Sequence, residues 1–528
     1  MNYISEYTYL ESEGNKLFTM VLKPEKSGKF PIIVMRSPYV NKYEEMDEED
    51  VLKEYVTEFE EWLKHGYLIV YQHCRGTGKS DGDFIPYIYE RTDGLNLLDW
   101  IRGQDFYNGE IFLKGGSYLT SVHYTVAPYA DDIKGAIFNV QDSERYNICY
   151  CNGFLKSGLH GNWYVRMYKP KSHMKKNHTP KAFDLLPLKD FTKVVFGESA
   201  KDFDMALKSP RPEDEFWNTT LGGVETRGAT DNVDFPILFT TAFNDLYSGG
   251  IFEMWNKLNE KTKKQSALVV SPYDHGDSCD SENSWVFEDG RRVEKFGDFY
   301  EIEWLDHIRN KNVKSPFEKG KITYYRLFDE KWCTEEKCEA NSKLNIKLGD
   351  DEVSYVYNPY DAPSFKGGLS RAFGGSVFQD EANSRHDIIS VYTEPFEKDT
   401  FVKGKMSAKL SVMSDCEDTC FYIRVSIEKD RGDYGLRDDI TSLCYQLGEY
   451  TPDTKVELDF NFDPHAFSVK KGERLRIDIA SADNEHYVRH TNNKGLYSEH
   501  TTARVANNKV FLQDSFLTLP VEDDVNEK

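Results

Sequence analysis

The sequence predicts an α/β protein in three parts: a parallel sheet covered by helices, a helical insertion within it, and a C-terminal all-β domain. Three observations predict this. Residues 1–142 alternate strand-like and helix-like segments, the pattern of a helix-covered parallel sheet. The rhythm breaks over 143–232 and resumes over 233–318. From 319 to 528 helical periodicity nearly vanishes, and short alternating strands are separated by turns rich in Asp, Gly, Asn and Lys. A chain of 528 residues also exceeds what one core can serve.

In the first part, Phe30 to Arg36 reads as a strand, and Asp47 to Lys64 carries apolar residues at helical spacing up to His65-Gly66. Tyr67 to Gln72 is a second buried strand, Arg91 to Arg102 a helix, Ile111 to Leu113 a third strand and Ile133 to Val140 a fourth. The insertion is aromatic and poor in strand signals, with connections at Pro180, Pro187, Pro210 and Pro212. The α/β rhythm returns with the strand Phe235 to Thr241, a helix from Gly249 to Glu260, the strand Ser266 to Ser271 and a helix from Phe299 to Arg309. The all-β part reads strands at Lys405 to Val412, Cys420 to Ile427, Lys455 to Phe460 and Arg474 to Ile479.

Composition narrows the function. Hydrophobic residues at 39% and aromatic residues at 14% supply large cores and argue against general disorder. The net charge of −23, from 66 basic and 89 acidic residues, speaks against a nucleic-acid partner. A solvated acidic surface accounts for it better than a cationic substrate does. The N-terminus has neither the basic start nor the apolar run of a signal peptide, and no stretch is apolar enough to span a membrane. Nine scattered cysteines fit reduced thiols, and with them a cytoplasmic location, better than a disulfide framework. Cys149/Cys151 and Cys416/Cys420 lack zinc-type companions and read as buried or incidental thiols rather than metal ligands. No metal and no organic cofactor is expected. A homo-oligomer is compatible with the sequence.

The chemistry centres on Ile111-Phe-Leu-Lys-Gly-Gly-Ser117-Tyr-Leu-Thr120. An apolar strand, two glycines, a serine and a helix-compatible segment form the layout of a nucleophile elbow. Glycine there permits close approach of neighbouring backbone. A serine needs a histidine to take its proton and a carboxylate to orient that histidine. An α/β-hydrolase supplies them in the order Ser, Asp, His, each beyond the C-terminal end of a strand. Asp245 follows the strand Phe235 to Thr241, and His275 follows Ser266 to Ser271. Alone, Asp245 reads more readily as a turn or capping residue and His275 as an ordinary loop histidine. Their order after consecutive strands is what argues for a triad.

Further segments carry a family resemblance: Arg36-Ser-Pro-Tyr39, Arg75-Gly-Thr-Gly-Lys-Ser-Asp-Gly82, Glu90-Arg-Thr-Asp-Gly94, Asp99-Trp-Ile-Arg-Gly-Gln104, Gly115-Gly-Ser-Tyr118, Asn244-Asp245, Ser271-Pro-Tyr-Asp-His-Gly276 and Val469 to Ser481. With these the chain resembles the cocaine esterase/Xaa-Pro dipeptidyl-peptidase family of serine hydrolases, which includes glutaryl acylases and α-amino-acid ester hydrolases. The resemblance covers nearly the whole chain. It implies an α/β-hydrolase core with an inserted helical cap and a C-terminal all-β jelly-roll domain. It also implies Ser117 as nucleophile, His275 as base and Asp245 as orienting acid, with the Tyr39 hydroxyl and the Tyr118 amide as the oxyanion hole.

Two positions depart from the family pattern. Thr120 stands where glycine is usual, three residues after the nucleophile. His73-Cys74-Arg75-Gly76 replaces Asp-Val-Arg-Gly. His73 and His123 are read as packing residues. For the substrate pocket, Tyr247 falls where relatives have an aromatic, and Trp163 and Tyr164 are further candidates that also suit core packing. An aminopeptidase needs a buried carboxylate for the substrate ammonium, and the cap offers Glu144, Asp184 and Glu198. The expected activity is an acyl esterase or acylase acting on a small ester, amide or short peptide. The alternatives are an Xaa-Pro dipeptidyl-peptidase and a non-catalytic ligand-binding protein with a vestigial site.

Overall fold

The computed structural model describes residues 3–171, 181–275, 300–367 and 377–522. Pro180, Gly276 and Phe299, named above, lie outside them. The first sheet has ten strands in the order Tyr3–Ser12, Asn15–Pro24, Leu68–His73, Phe30–Ser37, Tyr107–Gly116, Ile133–Asn139, Ile237–Asn244, Ala267–Asp274, Ile322–Arg326 and Lys331–Glu335. Pairing is parallel from Leu68–His73 through Ile322–Arg326 and antiparallel at both edges. Leu68–His73 is buried throughout, as expected where helices cover both faces of a parallel sheet.

The foreseen parallel strands fall where apolar runs predicted them, with their ends shifted by a few residues. The edges were not foreseen. The N-terminal hairpin turns at Glu13 and Gly14, both at positive φ (48° and 79°). Its outer strand alternates in exposure because it is covered on one side only. The expected helix over 47–64 is two helices, Glu48–Glu58 and Glu60–Lys64, broken where Phe59 leaves helical geometry (φ −102°, ψ 12°). Asp47 caps the first through the Glu49 amide at 2.9 Å.

The all-β domain was expected to begin at 319. The strands Ile322–Arg326 and Lys331–Glu335 instead extend the first sheet, Ile322, Thr323 and Tyr324 pairing in parallel with Leu268, Val269 and Val270. Beyond them two antiparallel sheets, one of eight strands and one of four, enclose a core that includes Leu410, Phe421, Ile423, Ile477 and Leu517, all fully buried.

Between Ile133–Asn139 and Ile237–Asn244 the chain forms short helices, including Arg145–Cys149, Asn162–Met167, Phe191–Phe196 and Lys201–Ala206, and a small ladder of Tyr150–Cys151 with Phe154–Leu155. Tyr164, Tyr168, Phe191, Phe196 and Phe203 knit it together through ring contacts. Its π-helical turn Ser157–Gly161 docks on the all-β domain: the Gly158 amide donates to the His486 carbonyl at 3.2 Å. A Cβ on Gly158 would stand 1.8 Å from the Glu485 carbonyl oxygen, so only glycine fits. Among the described residues, no helix is long and apolar enough to cross a membrane.

Candidate active site

Five neighbouring parallel strands end at one crevice, where α/β sheets bind ligands. In sheet order, Tyr39 follows Phe30–Ser37, Ser117 follows Tyr107–Gly116, Gln141 follows Ile133–Asn139, Asp245 follows Ile237–Asn244 and His275 follows Ala267–Asp274. Topology thus assembles residues spread over more than two hundred sequence positions.

Ser117 sits at φ 54°, ψ −130°, a strained conformation that costs about 1–3 kcal/mol and is held by its surroundings. Its amide donates to the Asn139 carbonyl at 3.0 Å. A Cβ on Gly115 would stand 2.3 Å from the Leu119 carbonyl oxygen, so the tight turn requires glycine there. Thr120 is compatible with the elbow: its hydroxyl donates to the same Asn139 carbonyl at 3.0 Å and its amide to the Ser117 carbonyl at 2.8 Å. The larger side chain ties the helix start to the neighbouring strand.

His275 Nε2 lies 2.9 Å from Ser117 Oγ, and His275 Nδ1 lies 2.6 Å from Asp245 Oδ2. The carboxylate fixes the tautomer: Nδ1 donates to Asp245, which leaves Nε2 as acceptor toward the serine. Asp245 is fully buried, and its other oxygen accepts the Tyr247 amide at 2.7 Å. An imidazole so held can take a hydroxyl proton and return it to a leaving group.

Tyr39 accepts a hydrogen bond from the Trp163 indole at 2.9 Å, a bond that orients the phenol. The Tyr118 amide opens the helix Tyr118–Tyr124, where backbone N–H groups have no intrahelical acceptor. The Tyr118 hydroxyl donates to Glu90 Oε1 at 3.0 Å and accepts the Tyr87 amide at 2.7 Å. Glu90 is buried against Arg36 at 2.8 Å. The Tyr118 ring also stacks on Trp163, centroids 5.2 Å apart. A buried ion pair, two aromatic rings and Tyr39 therefore form one continuous support. Glu90 and Arg36 lay within segments singled out in the sequence, but nothing there linked them to Tyr118.

Ser117, His275, Tyr39, Tyr118 and Trp163 line a cavity of about 150 Å³ together with Tyr87, Gln141, Leu159, His160 and Tyr247. Tyr247 sets its ring edge-on to His275, centroids 5.5 Å apart. His160 is kept uncharged: burial, then Arg145, lower its pKa to about 3. Of the pocket candidates, Tyr247 and Trp163 line the cavity and Tyr164 does not; it is fully buried and donates to Asp202 at 2.6 Å. None of the described lining residues is a carboxylate. Glu144 pairs with Arg227 (2.8 Å), Glu198 with Lys169 (2.9 Å) and Asp184 with Arg489 (3.7 Å). His73 packs among Phe18, Tyr43, Tyr55 and Tyr71, and His123 bonds the Lys114 carbonyl at 2.9 Å; burial lowers each to about 3.

The profile of the X-Pro dipeptidyl-peptidase (S15 family) matches residues 13–277, about half the chain, and that of the X-Pro dipeptidyl-peptidase C-terminal non-catalytic domain matches residues 339–514. The cocaine esterase of Rhodococcus sp. (strain MB1 Bresler) is 21% identical over 547 residues, covering 92% of this chain and 91% of that protein. The Xaa-Pro dipeptidyl-peptidase of Streptococcus sanguinis (strain SK36) is 21% identical over 492 residues, 81% of this chain but only 60% of that longer protein. Among solved structures, an aminopeptidase from the marine sediment archaeon Thaumarchaeota archaeon superposes with a TM-score of 0.80 at 15% identity, covering 99% of this chain and 96% of that one. An α-amino acid ester hydrolase superposes at 0.79 with 14% identity, covering 98% and 97%. At these identities the superpositions show the fold: an α/β-hydrolase with an all-β C-terminal domain.

Proposed function

The chain belongs to the X-Pro dipeptidyl-peptidase (S15) family and is a serine hydrolase; on that premise we propose that Ser117, His275 and Asp245 transfer an uncharged acyl group from an ester or amide to water. The observation that carries this is the unbroken relay from Asp245 Oδ2 to His275 Nδ1 (2.6 Å) and from Nε2 to Ser117 Oγ (2.9 Å). Ser117 Oγ attacks the carbonyl carbon while His275 takes its proton. The tetrahedral oxyanion accepts hydrogen bonds from the Tyr39 hydroxyl and the Tyr118 amide. His275 returns the proton to the leaving alcohol or amine, and an acyl-Ser117 remains. Water, deprotonated by the same imidazole, then releases the acid.

The preference for an uncharged acyl group comes from the cavity. Its described walls are aromatic, with Leu159, Gln141 and a neutral His160. A substrate α-ammonium would need a carboxylate partner on burial. The three carboxylates of the cap considered for that task each have a cationic partner already. This supports an acyl esterase or acylase over an Xaa-Pro dipeptidyl-peptidase. The eight described cysteines, all free thiols, support a reducing compartment such as the cytoplasm.

A fluorophosphonate probe tests the relay. The wild-type protein is expected to label and Ser117→Ala is not; no labelling, or equal labelling of both, overturns it and returns the reading to a ligand-binding protein. Turnover of p-nitrophenyl acyl esters is then compared with that of Gly-Pro-p-nitroanilide. Preferential cleavage of the anilide overturns the uncharged-acyl assignment.

A further inference from the structure

We propose that Gln141 selects the acyl group of the substrate: its side-chain carbonyl accepts a hydrogen bond from an uncharged N–H or O–H carried by that group. The substrate class is then an ester or amide of a small acid bearing a neutral donor, such as an N-acylated amino acid or a hydroxy acid. The proposal rests on the relay and on the uncharged-acyl reading given above, and makes Gln141 a specificity-determining residue of the same site.

Gln141 is 1% exposed and lines the catalytic cavity. Its amide nitrogen donates at 2.6 Å to Ser121 Oγ, on the helix Tyr118–Tyr124 that follows the nucleophile. That bond fixes which end of the amide remains. Among the described residues, the other end, Oε1, is buried and has no hydrogen-bond partner. A buried carbonyl left unpaired is destabilising, and native structures rarely keep one without something to meet it. An amide oxygen only accepts, so its partner has to carry a hydrogen.

The backbone that delivers Gln141 is strained as well. Val140 sits at φ 48°, in the left-handed region, where a β-branched residue is an outlier. Its amide donates to the Thr240 carbonyl at 2.9 Å, so bonding to the neighbouring strand Ile237–Asn244 continues up to the turn. The Tyr124 hydroxyl donates to the Gln141 backbone carbonyl at 3.0 Å and holds the far side. Strain of this kind persists only where the surroundings over-determine it, and it gathers at sites that bind or react. Here it stands immediately before Gln141.

The neighbours decide the charge of the donor. Asp142, next in the chain, is engaged elsewhere: its carboxylate accepts the Glu144 amide at 2.7 Å and the Asn147 side-chain amide at 3.2 Å. His160, stacked on Trp163 with centroids 5.9 Å apart, is uncharged and offers one donor and one acceptor. A cationic donor would gain the Gln141 oxygen but no carboxylate among the described lining residues. The cavity of about 150 Å³ is of the size that holds benzene, which suits acyl groups of about six or seven heavy atoms.

The test uses two matched pairs of p-nitrophenyl esters. The N-acetylglycyl ester is paired with the 4-oxopentanoyl ester, which has a methylene in place of the N–H. The 3-hydroxybutanoyl ester is paired with the 3-methylbutanoyl ester, which has a methyl in place of the hydroxyl. Each kcat/KM is divided by that ester's rate with hydroxide, which removes intrinsic reactivity. In the wild type, the donor-bearing member of at least one pair is expected to be favoured about tenfold or more, because its counterpart leaves Oε1 unpaired. The pair that responds tells an amide donor from a hydroxyl. Gln141→Met keeps the length of the side chain without the acceptor and is expected to abolish the preference. No preference in either pair overturns the proposal. So does a preference that survives in Gln141→Met, the result of a merely structural role, which would slow both members alike. If Gln141→Met does not fold, Ser121→Ala is used, since it releases the amide from its fixed orientation; the preference is expected to weaken, and an undiminished preference refutes the assignment. Fluorophosphonate labelling separates the layers. A wild type that labels but shows no preference defeats the Gln141 proposal alone, and one that does not label defeats the relay. Preferential cleavage of Gly-Pro-p-nitroanilide over all four esters defeats the uncharged-acyl reading.

Discussion

Replacing Tyr39 by phenylalanine removes one oxygen and keeps the ring. If that oxygen donates to the oxyanion, its loss is felt in the transition state and barely in the ground state. Loss of a single oxyanion donor lowers kcat by about 10²–10³, with KM little changed. Trp163 makes the experiment sharper. Its indole holds the Tyr39 oxygen at 2.9 Å, so Trp163→Phe removes one neutral hydrogen bond while keeping an aromatic ring against Tyr118. One such bond contributes about 1 kcal/mol, or roughly a fivefold loss in kcat. Because Trp163 acts through the Tyr39 oxygen, the double variant should be no slower than Tyr39→Phe alone, a coupling of about 1 kcal/mol in a double-mutant cycle. The assay is steady-state hydrolysis of a p-nitrophenyl ester, with fluorophosphonate labelling to confirm that the nucleophile survives. A Tyr39→Phe enzyme within threefold of wild type refutes the donor role. Losses that multiply in the double variant refute the coupling.

Three further outcomes are expected. Gly115→Ala should lower kcat at least tenfold and stability by about 1–3 kcal/mol, since its methyl would stand 2.3 Å from the Leu119 carbonyl; unchanged kinetics and melting temperature would contradict the elbow geometry. Glu90→Leu leaves the Arg36 guanidinium buried with neutral acceptors at Gln72 and the residue-90 carbonyl (each 2.9 Å) and, among the described residues, with Asp93 at 3.6 Å as its remaining carboxylate; urea denaturation should show a loss of about 3 kcal/mol, with Glu90→Gln milder because its amide can still bond Tyr118. Burial raises the Asp142 pKa to about 7, so the folded state binds a proton that the unfolded chain has already released. Its contribution to stability is present in acid and is lost as pH rises from about 4 toward 7. The stability of Asp142→Asn, followed by urea denaturation across that range, should fall less steeply than that of the wild type.

The strands that deliver Ser117, Asp245 and His275 were legible because each is a short, continuous apolar run closed by turn chemistry, the signature of a strand buried on both faces. The order Ser, Asp, His then gave the relay. The edges of the sheet were harder. Tyr3–Ser12 is exposed on one face and carries mixed residues, and Ile322–Arg326 looks like any short strand of the domain that follows it. Only pairing partners distinguish the two, and pairing is not local in sequence. The supports of the site were hidden for the same reason. Glu90 and Tyr118 are 28 positions apart, and Trp163 and Tyr39 are 124 apart. Tyr164 follows Trp163 on a short helix and so sits about 100° round from it, turned into the ring cluster around Phe203.

The strand that carries His275 is an interior strand, held between Ile237–Asn244 on one side and Ile322–Arg326 on the other. During synthesis the strand before the elbow serine is closed by Ile133–Asn139 and the strand before the acid loop by Ala267–Asp274, each starting shortly after it in the chain. The base waits longer. Its strand keeps one raw edge until some fifty further residues have been added and Ile322–Arg326 closes it. A nascent chain cut short near residue 320 would hold all three relay residues and still lack a finished frame for the histidine. Completion of the hydrolase sheet is thus tied to the start of the segment that leads into the all-β domain.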